Sequence, residues 1–118
     1  MACDDPACLP TLRRRIATLL ADAHEDLRSD AELVATELVT NAIEHAKPPR
    51  KVHIRCISDA QVHIAVTDND AQTLPAFGRS TLGVHRGRGL VIVDHLSADW
   101  GVANGAATKT VWATLGGR

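Results

Sequence analysis

A short polar stretch, Glu37 to Ala46, carries groups that could hold a metal ion and move a proton. On a helix with about 100° between residues, its apolar side chains fall on one side and its polar side chains on the other. Glu37 and Asn41 are four residues apart, so they lie one above the other on the polar side. A carboxylate beside an amide oxygen is a suitable ligand set for a hard cation such as Mg²⁺.

The same stretch also fits an ordinary helix with a solvated polar side. Judged from this segment alone, that simpler interpretation is favoured. Against it, an Asn inside a helix is unfavourable because its amide competes for backbone groups. Glu44 and His45 receive no catalytic role in either interpretation, since His45 suits the negative C-terminal end of a helix. The remaining segments must therefore decide between the two.

The 118 residues suit one domain over residues 1–118, and a 45% hydrophobic content indicates a globular core. The net charge of −1 gives no support for a nucleic-acid or membrane-surface role. We expect Cys3 and Cys8 in a mobile N-terminal segment and Cys56 on a buried strand. No signal peptide or membrane span is recognised, and a reducing cytoplasmic location is expected.

Apolar spacing predicts a first helix from Leu12 to Leu27. A capping-box pattern, Ser29 to Glu32, predicts that a second helix begins near Asp30. That helix is expected to end before Pro48, because the residue that precedes a proline leaves the helical region.

Residues 51–58 and 61–68 alternate apolar and polar side chains, which predicts an antiparallel hairpin with one buried face. A long irregular stretch follows, then a third helix over 90–98 and a hairpin around Asn104-Gly105. The order of elements predicts an α+β two-layer sandwich, with helices on one face of a mostly antiparallel sheet.

Four motifs occur in order at domain-scale spacing: residues 37–46, 66–70, 87–90 and 108–112. Each is weak alone, but together they resemble the ATP-binding fold that gyrase, the histidine kinases and MutL share. The resemblance covers about residues 32–115 and is strongest to the stand-alone branch, the anti-sigma-factor serine kinases and their actinobacterial relatives.

The resemblance implies that Asn41 is a Mg²⁺ ligand and that Glu37 is a general base or positions water. It also implies that Asp68 accepts a hydrogen bond from the amino group of adenine. Without the resemblance, Asp68 would be a strand-end residue that starts a turn.

The glycine motif opens the third helix, where free backbone N–H groups favour phosphate. The nucleotide-binding residues expected there are Arg86, Gly87, Arg88, Gly89 and Leu90. The alternative is a solvated basic loop with a glycine turn. The resemblance makes residues 71–87 a lid that closes over the nucleotide.

The sequence departs from the family pattern at two positions. Asp70 stands where relatives carry glycine and adds a negative charge near the expected nucleotide. Thr108-Lys109-Thr110 stands where relatives carry Gly-Thr, which leaves open whether Lys109 or Thr110 contacts the nucleotide. Asp70, Lys109 and Thr110 are all kept as candidate binding residues.

The function implied is that of an ATP·Mg-dependent serine/threonine protein kinase of the anti-sigma-factor type. It would phosphorylate an antagonist protein and so regulate transcription, with a sigma factor and a second copy of the chain as further partners. The alternative is an ATP-binding regulatory module with little or no kinase activity. A third interpretation is an interaction domain that keeps only the fold.

Overall fold

The computed structural model describes residues 1–71 and 88–117, without the side chain of Arg88. After a 3₁₀ turn, Pro6–Cys8, the elements in chain order are α1 (Leu9–Leu19), α2 (Glu25–His45), β1 (Lys51–Ser58), β2 (Gln61–Asp68), α3 (Arg88–Leu96), β3 (Asp99–Asn104) and β4 (Lys109–Gly116). The strands form one antiparallel sheet in the order β1-β2-β4-β3. The predicted α+β architecture is confirmed.

The core lies between the helices and the inner face of the sheet. Helix α2 packs on β2 and β4, with α1 and α3 beside it. The fully buried side chains of the core are aliphatic and include Leu12, Ile16, Val34, Leu38, Val62, Ile64, Val66 and Leu115. Burying each such side chain contributes about 1.5–3 kcal/mol, so this layer holds α2 against the sheet. None of the helices in residues 1–71 and 88–117 combines the length and hydrophobicity needed to cross a membrane.

Helix α2 begins earlier than the capping-box pattern predicts. It starts at Glu25, and His24 is its N-cap, whose Nδ1 accepts the Asp26 N–H at 3.1 Å. The expected start near Asp30 was wrong because the chain already breaks at Leu20, where α1 ends with non-helical backbone angles. The buried Leu20 side chain fixes this break through tertiary packing, which no local pattern records.

All three cysteines differ from expectation. Cys3 is 1% exposed, its N–H donates to the Arg50 carbonyl at 2.9 Å, and it forms a disulfide with Cys8. The expected mobile segment is therefore a packed one. Cys56 is exposed although it lies on the same strand face as the buried Val52, because β1 is an edge strand whose second half faces solvent.

A buried arginine closes the C-terminal end of α2. The last carbonyls of a helix have no partners within the helix. Arg50, 7% exposed, donates from Nε to the Ala42 carbonyl at 2.9 Å and from Nη2 to the Ala46 carbonyl at 2.6 Å. Nη1 also donates to the Asp4 carbonyl at 3.2 Å. One guanidinium thus joins α2, the N-terminal segment and the start of β1.

We expect Arg50→Ala to lower the free energy of unfolding by about 3 kcal/mol, because charge-assisted hydrogen bonds to buried carbonyls are lost. Urea denaturation measures the change. Arg13→Ala is the matched control, since Arg13 is exposed on α1 and should cost less than about 0.5 kcal/mol. Equal losses in the two variants would contradict the structural role of Arg50.

The outer face of the sheet carries a stacked pair, His63 and Trp112, with ring centroids 5.8 Å apart. His63 Nδ1 lies 3.0 Å from Thr114 Oγ1. The indole covers Gly101, where a side chain would press on the ring because an added Cβ would lie 3.0 Å from it. Desolvation by burial, and secondarily the positive Arg55, lowers the pKa of His63 from its ordinary 6.5.

A lowered pKa in the folded state means that the unfolded state binds more protons just below pH 6.5. Stability should therefore fall as the pH falls from 6.5 through the folded-state pKa of His63. Urea unfolding at about pH 7.5 and about pH 5.5 measures this difference. His63→Gln should reduce it, whereas His53→Gln, at an exposed position, serves as control. An unchanged pH dependence in His63→Gln would refute the assignment.

Candidate functional site

Two oppositely charged side chains meet at one end of the sheet. Asp68, the last residue of β2, is paired in register with Lys109, the first residue of β4. Lys109 Nζ lies 3.4 Å from Asp68 Oδ2, and the two side chains are 3% and 1% exposed. Such burial is tolerated only for paired charges, so the pair fixes both groups in place.

Asp70 belongs to the same cluster. It is 6% exposed, and its N–H donates to Asp68 Oδ1 at 2.8 Å. No residue other than glycine has a positive φ in the described part of the chain, so Asp70 adopts a backbone conformation open to any residue. Having aspartate rather than glycine at position 70 therefore causes no backbone strain. What the aspartate adds to the site is a carboxylate.

The Asp68 carboxylate keeps capacity for a ligand. An ionised carboxylate offers about four lone-pair sites. In the structure Oδ1 accepts one N–H from Asp70, and Oδ2 faces Lys109. The chemistry of the group therefore suits an additional donor such as an exocyclic amino group.

Thr110 lies on the other face of the sheet. Its Oγ1 is 2.8 Å from Thr67 Oγ1, across β2 and β4. Lys109 lies on the inner face with Asp68, as the alternation along β4 requires. Of the two residues that the sequence left open, the structure places Lys109 with the aspartate and Thr110 away from it.

Glu37 and Asn41 lie on α2, both half-buried. The Asn69 N–H donates to the Lys47 carbonyl at 3.0 Å, which joins the loop after β2 to the chain that leaves α2. Because Asn41 is about one turn from the end of α2, it and Asp68 are placed toward the same end of the molecule.

The glycine motif is described only in part. Arg86, Gly87 and the rest of the predicted lid after Ala71 lie outside the described residues, and so does the Arg88 side chain. Leu90 is 1% exposed and packs in the core, so any contact of Leu90 with phosphate would use its backbone N–H. Helix α3 is joined to β3 by a 2.7 Å hydrogen bond from Trp100 Nε1 to Asp94 Oδ1.

Sequence reasoning missed the contribution of Arg50 to this region. Its guanidinium fixes the end of α2 that follows Asn41, through the carbonyls of Ala42 and Ala46. The only local signal is an arginine directly after Pro49, which periodicity does not distinguish from a solvated side chain.

The asparagine-bearing helix, packed on an antiparallel sheet that ends in a buried aspartate, defines an ATP-binding domain of the histidine-kinase type. Residues 3–115 match the family model of the histidine kinase-like ATPase domain, and the chain belongs to this family. Membership implies ATP binding. It also confirms the resemblance of the four motifs to the ATP-binding fold of the histidine kinases.

Solved structures agree on the fold. The RsbU and RsbW domains of a Mycobacterium tuberculosis protein superpose with a TM-score of 0.69 at 20% identity, over 97% of this chain and 30% of that one. The Acinetobacter baumannii histidine kinase AdeS gives 0.55 at 14% identity, over 98% and 66%. At these identities the likeness shows the fold alone. No curated protein matches the sequence.

The Asp68–Lys109 pair can be tested by a double-mutant cycle. Lys109→Met should lower the free energy of unfolding by about 3–5 kcal/mol, because it leaves a buried carboxylate without its ammonium partner. Asp68→Asn combined with Lys109→Met should cost clearly less than the sum of the single changes. Lys51→Met, which removes the same charge at an exposed position of β1, is the control. Additive losses would show that the two charges do not interact.

Proposed function

We propose that this protein binds ATP with Mg²⁺ and transfers phosphate to a serine or threonine of a small antagonist protein. It would thereby act in transcription control as an anti-sigma-factor kinase. The branch of the family that the motifs resemble, and a fold neighbour that contains an RsbW domain, both support this choice.

The observation that carries the proposal is the placement of two motifs toward one end of the molecule. The Asn69–Lys47 hydrogen bond of 3.0 Å joins the segment after Asp68 to the end of the Asn41 helix. An arrangement of this kind lets one ligand reach a base-binding carboxylate and a metal-binding amide. Local motifs without this spatial relation would support no such ligand.

The charged pair would recognise the base. Asp68 accepts hydrogen bonds only, which suits the amino group of adenine, whereas the Lys109 ammonium only donates and suits a ring nitrogen. Both groups are buried, so a base that fails to supply the matching donor and acceptor leaves a buried polar group unpaired. This complementarity favours adenine nucleotides.

The metal would be held by Asn41 together with phosphate oxygens. In residues 1–71 and 88–117 no cluster of three His, Cys, Asp or Glu side chains could hold a metal ion. Mg²⁺ typically uses few protein ligands and completes its octahedron with phosphates and water, so a single amide oxygen fits it. When bound, the ion would supply neutralisation of the phosphate charge.

Glu37 would serve as the base. It lies one helical turn before Asn41 and is half-buried, so its carboxylate stays near the metal ligand. Its role would be to take the proton from the attacking hydroxyl of the protein substrate. Glu44, exposed on the same helix, lies further toward the C-terminal end and has no such role.

Calorimetry and labelled-phosphate transfer test this assignment. With Mg²⁺ supplied, ATP or ADP at up to about 1 mM should give binding heat, and Asn41→Ala should remove the metal-dependent part of the ATP affinity. Glu37→Gln should keep ATP binding and slow transfer by about 100-fold or more. Glu44→Gln is the matched control and should leave both unchanged.

Absence of heat with both nucleotides would overturn nucleotide binding itself. Transfer at the normal rate in Glu37→Gln would overturn only the base assignment. The acceptor would be found by labelling proteins of the native host with radioactive ATP and mapping the phosphorylated residue. A sigma factor as second partner and a homodimer belong to the same proposal, and light scattering of the purified chain tests the latter.

A second candidate is an ATP-binding regulatory module with little or no kinase activity. The observation that favours it is the buried Asp70, which adds a carboxylate beside Asp68. The family pattern that the motifs resemble has glycine at this position, so the site departs from the pattern of active relatives here. Nucleotide binding without detectable transfer to any host protein, in the wild-type chain and in Asp70→Gly alike, would select this alternative.

A further inference from the structure

The outer edge of β1 is paired along only part of its length. The N-terminal residues run antiparallel to it: Cys3 donates to the Arg50 carbonyl, and Ala2 pairs with Lys51. The Val52 N–H donates to the Met1 carbonyl at 2.8 Å, and the Met1 nitrogen donates to the Val52 carbonyl at 2.7 Å. Strand β1 continues to Ser58 beyond this short ladder.

The backbone groups beyond Val52 are aimed outward. Hydrogen-bonding direction alternates along a strand, so Ile54 and Cys56 direct their N–H and C=O groups to the same side as Val52. Within residues 1–71 and 88–117, the only bridge at this edge is the one between Ala2 and Lys51. An unpaired row of this kind is a template for an added strand.

A groove runs beside this edge. It has a volume of about 760 Å³ and is lined by α1 on one side and by β1 on the other. Leu19 contributes an apolar wall and is 42% exposed. Ile57, further along β1, is 46% exposed. Together these give an extended chain apolar surface to cover in addition to backbone groups to pair.

The charges around the groove have one sign. Arg14 and Arg15 of α1 are the charged side chains among the described residues that line it. No Asp or Glu is among the described residues that line it. Attraction between opposite charges, together with steering of the encounter, therefore favours an acidic occupant.

We propose that this groove binds an extended acidic segment of a partner protein, which adds to β1 as an antiparallel strand beside Ile54 and Cys56. The segment would continue the ladder that Met1 and Ala2 begin. Its backbone would pair with the outward groups of β1, and its carboxylates would face Arg14 and Arg15 on the α1 side. Because successive side chains of a strand point to opposite faces, its alternate apolar side chains would lie on the other face, toward the exposed Ile57. The surface is formed by α1 and β1 and uses none of the nucleotide-site residues.

The probe is a synthetic peptide of about six residues that alternates Glu with Val, titrated to about 1 mM into the ¹⁵N-labelled full chain. We expect the amide resonances of Ile54 and Cys56 to shift most, with slowed hydrogen exchange at both. Arg14→Glu and Arg15→Glu should each weaken binding by about tenfold. Arg13→Glu is the matched control, since Arg13 makes the same charge change on α1 but does not line the groove.

Two further peptides separate the contributions. The same sequence with Lys in place of Glu should bind at least about tenfold more weakly, and so should an acidic peptide N-methylated at alternate positions. Unchanged melting temperatures in the three arginine variants confirm that they fold. Equal binding of the Lys peptide, resonance shifts away from β1, or equal affinity in Arg14→Glu and Arg13→Glu would each overturn the proposal. So would slowed hydrogen exchange at the Ile54 and Cys56 amides of the peptide-free chain that grows with chain concentration, because it would show a second copy of the chain paired at this edge.

Discussion

The Arg50 guanidinium is the constraint on which both the end of the Asn41 helix and the N-terminal end of β1 depend. Its hydrogen bonds reach the last turn of α2 and the main chain of Asp4, and the Arg50 carbonyl accepts from the Cys3 N–H directly before β1 begins. The cation is compensated by carbonyl oxygens, by the negative end of the helix and by the Asp4 carboxylate, whose Oδ1 lies 3.6 Å from Nη1. A lysine could not reproduce this planar fork of donors. The end of the Asn41 helix and the short N-terminal ladder on β1 are thus fixed by one side chain.

The strands could be predicted almost to the residue, whereas the helix boundaries could not. Alternation over residues 51–58 and 61–68 is a local property, and the two strands have these bounds in the structure. The boundary between α1 and α2 depends on the burial of Leu20 and on a histidine cap. The Ser29 pattern resembles a helix start but lies inside α2, because tertiary packing outweighs a local preference.

At the candidate site, the order of motifs predicted which residues belong to the site, and that remains a prediction, but it did not predict how the charged groups are paired. The Asp68–Lys109 contact arises from the register between β2 and β4, which are distant in sequence. The exposure of Cys56 likewise depends on β1 being an edge strand, a property of sheet order. The alternation of side chains along β4 did predict, from the sequence, that Lys109 and Thr110 lie on opposite faces of the sheet. The residues of the lid remain an expectation drawn from family resemblance.

The two tryptophans lie on opposite faces of the sheet and are attached to different neighbours. Trp100 is bonded through its indole N–H to Asp94 of α3, the helix that follows the predicted lid. Trp112 stacks on His63 and covers Gly101 on the far face. Intrinsic fluorescence of this chain is therefore a sum of two separable signals, one sensitive to the position of α3 and the other to the ionisation of an imidazole. Replacing either tryptophan by Phe would leave a single indole, whose fluorescence reports on only one face of the sheet.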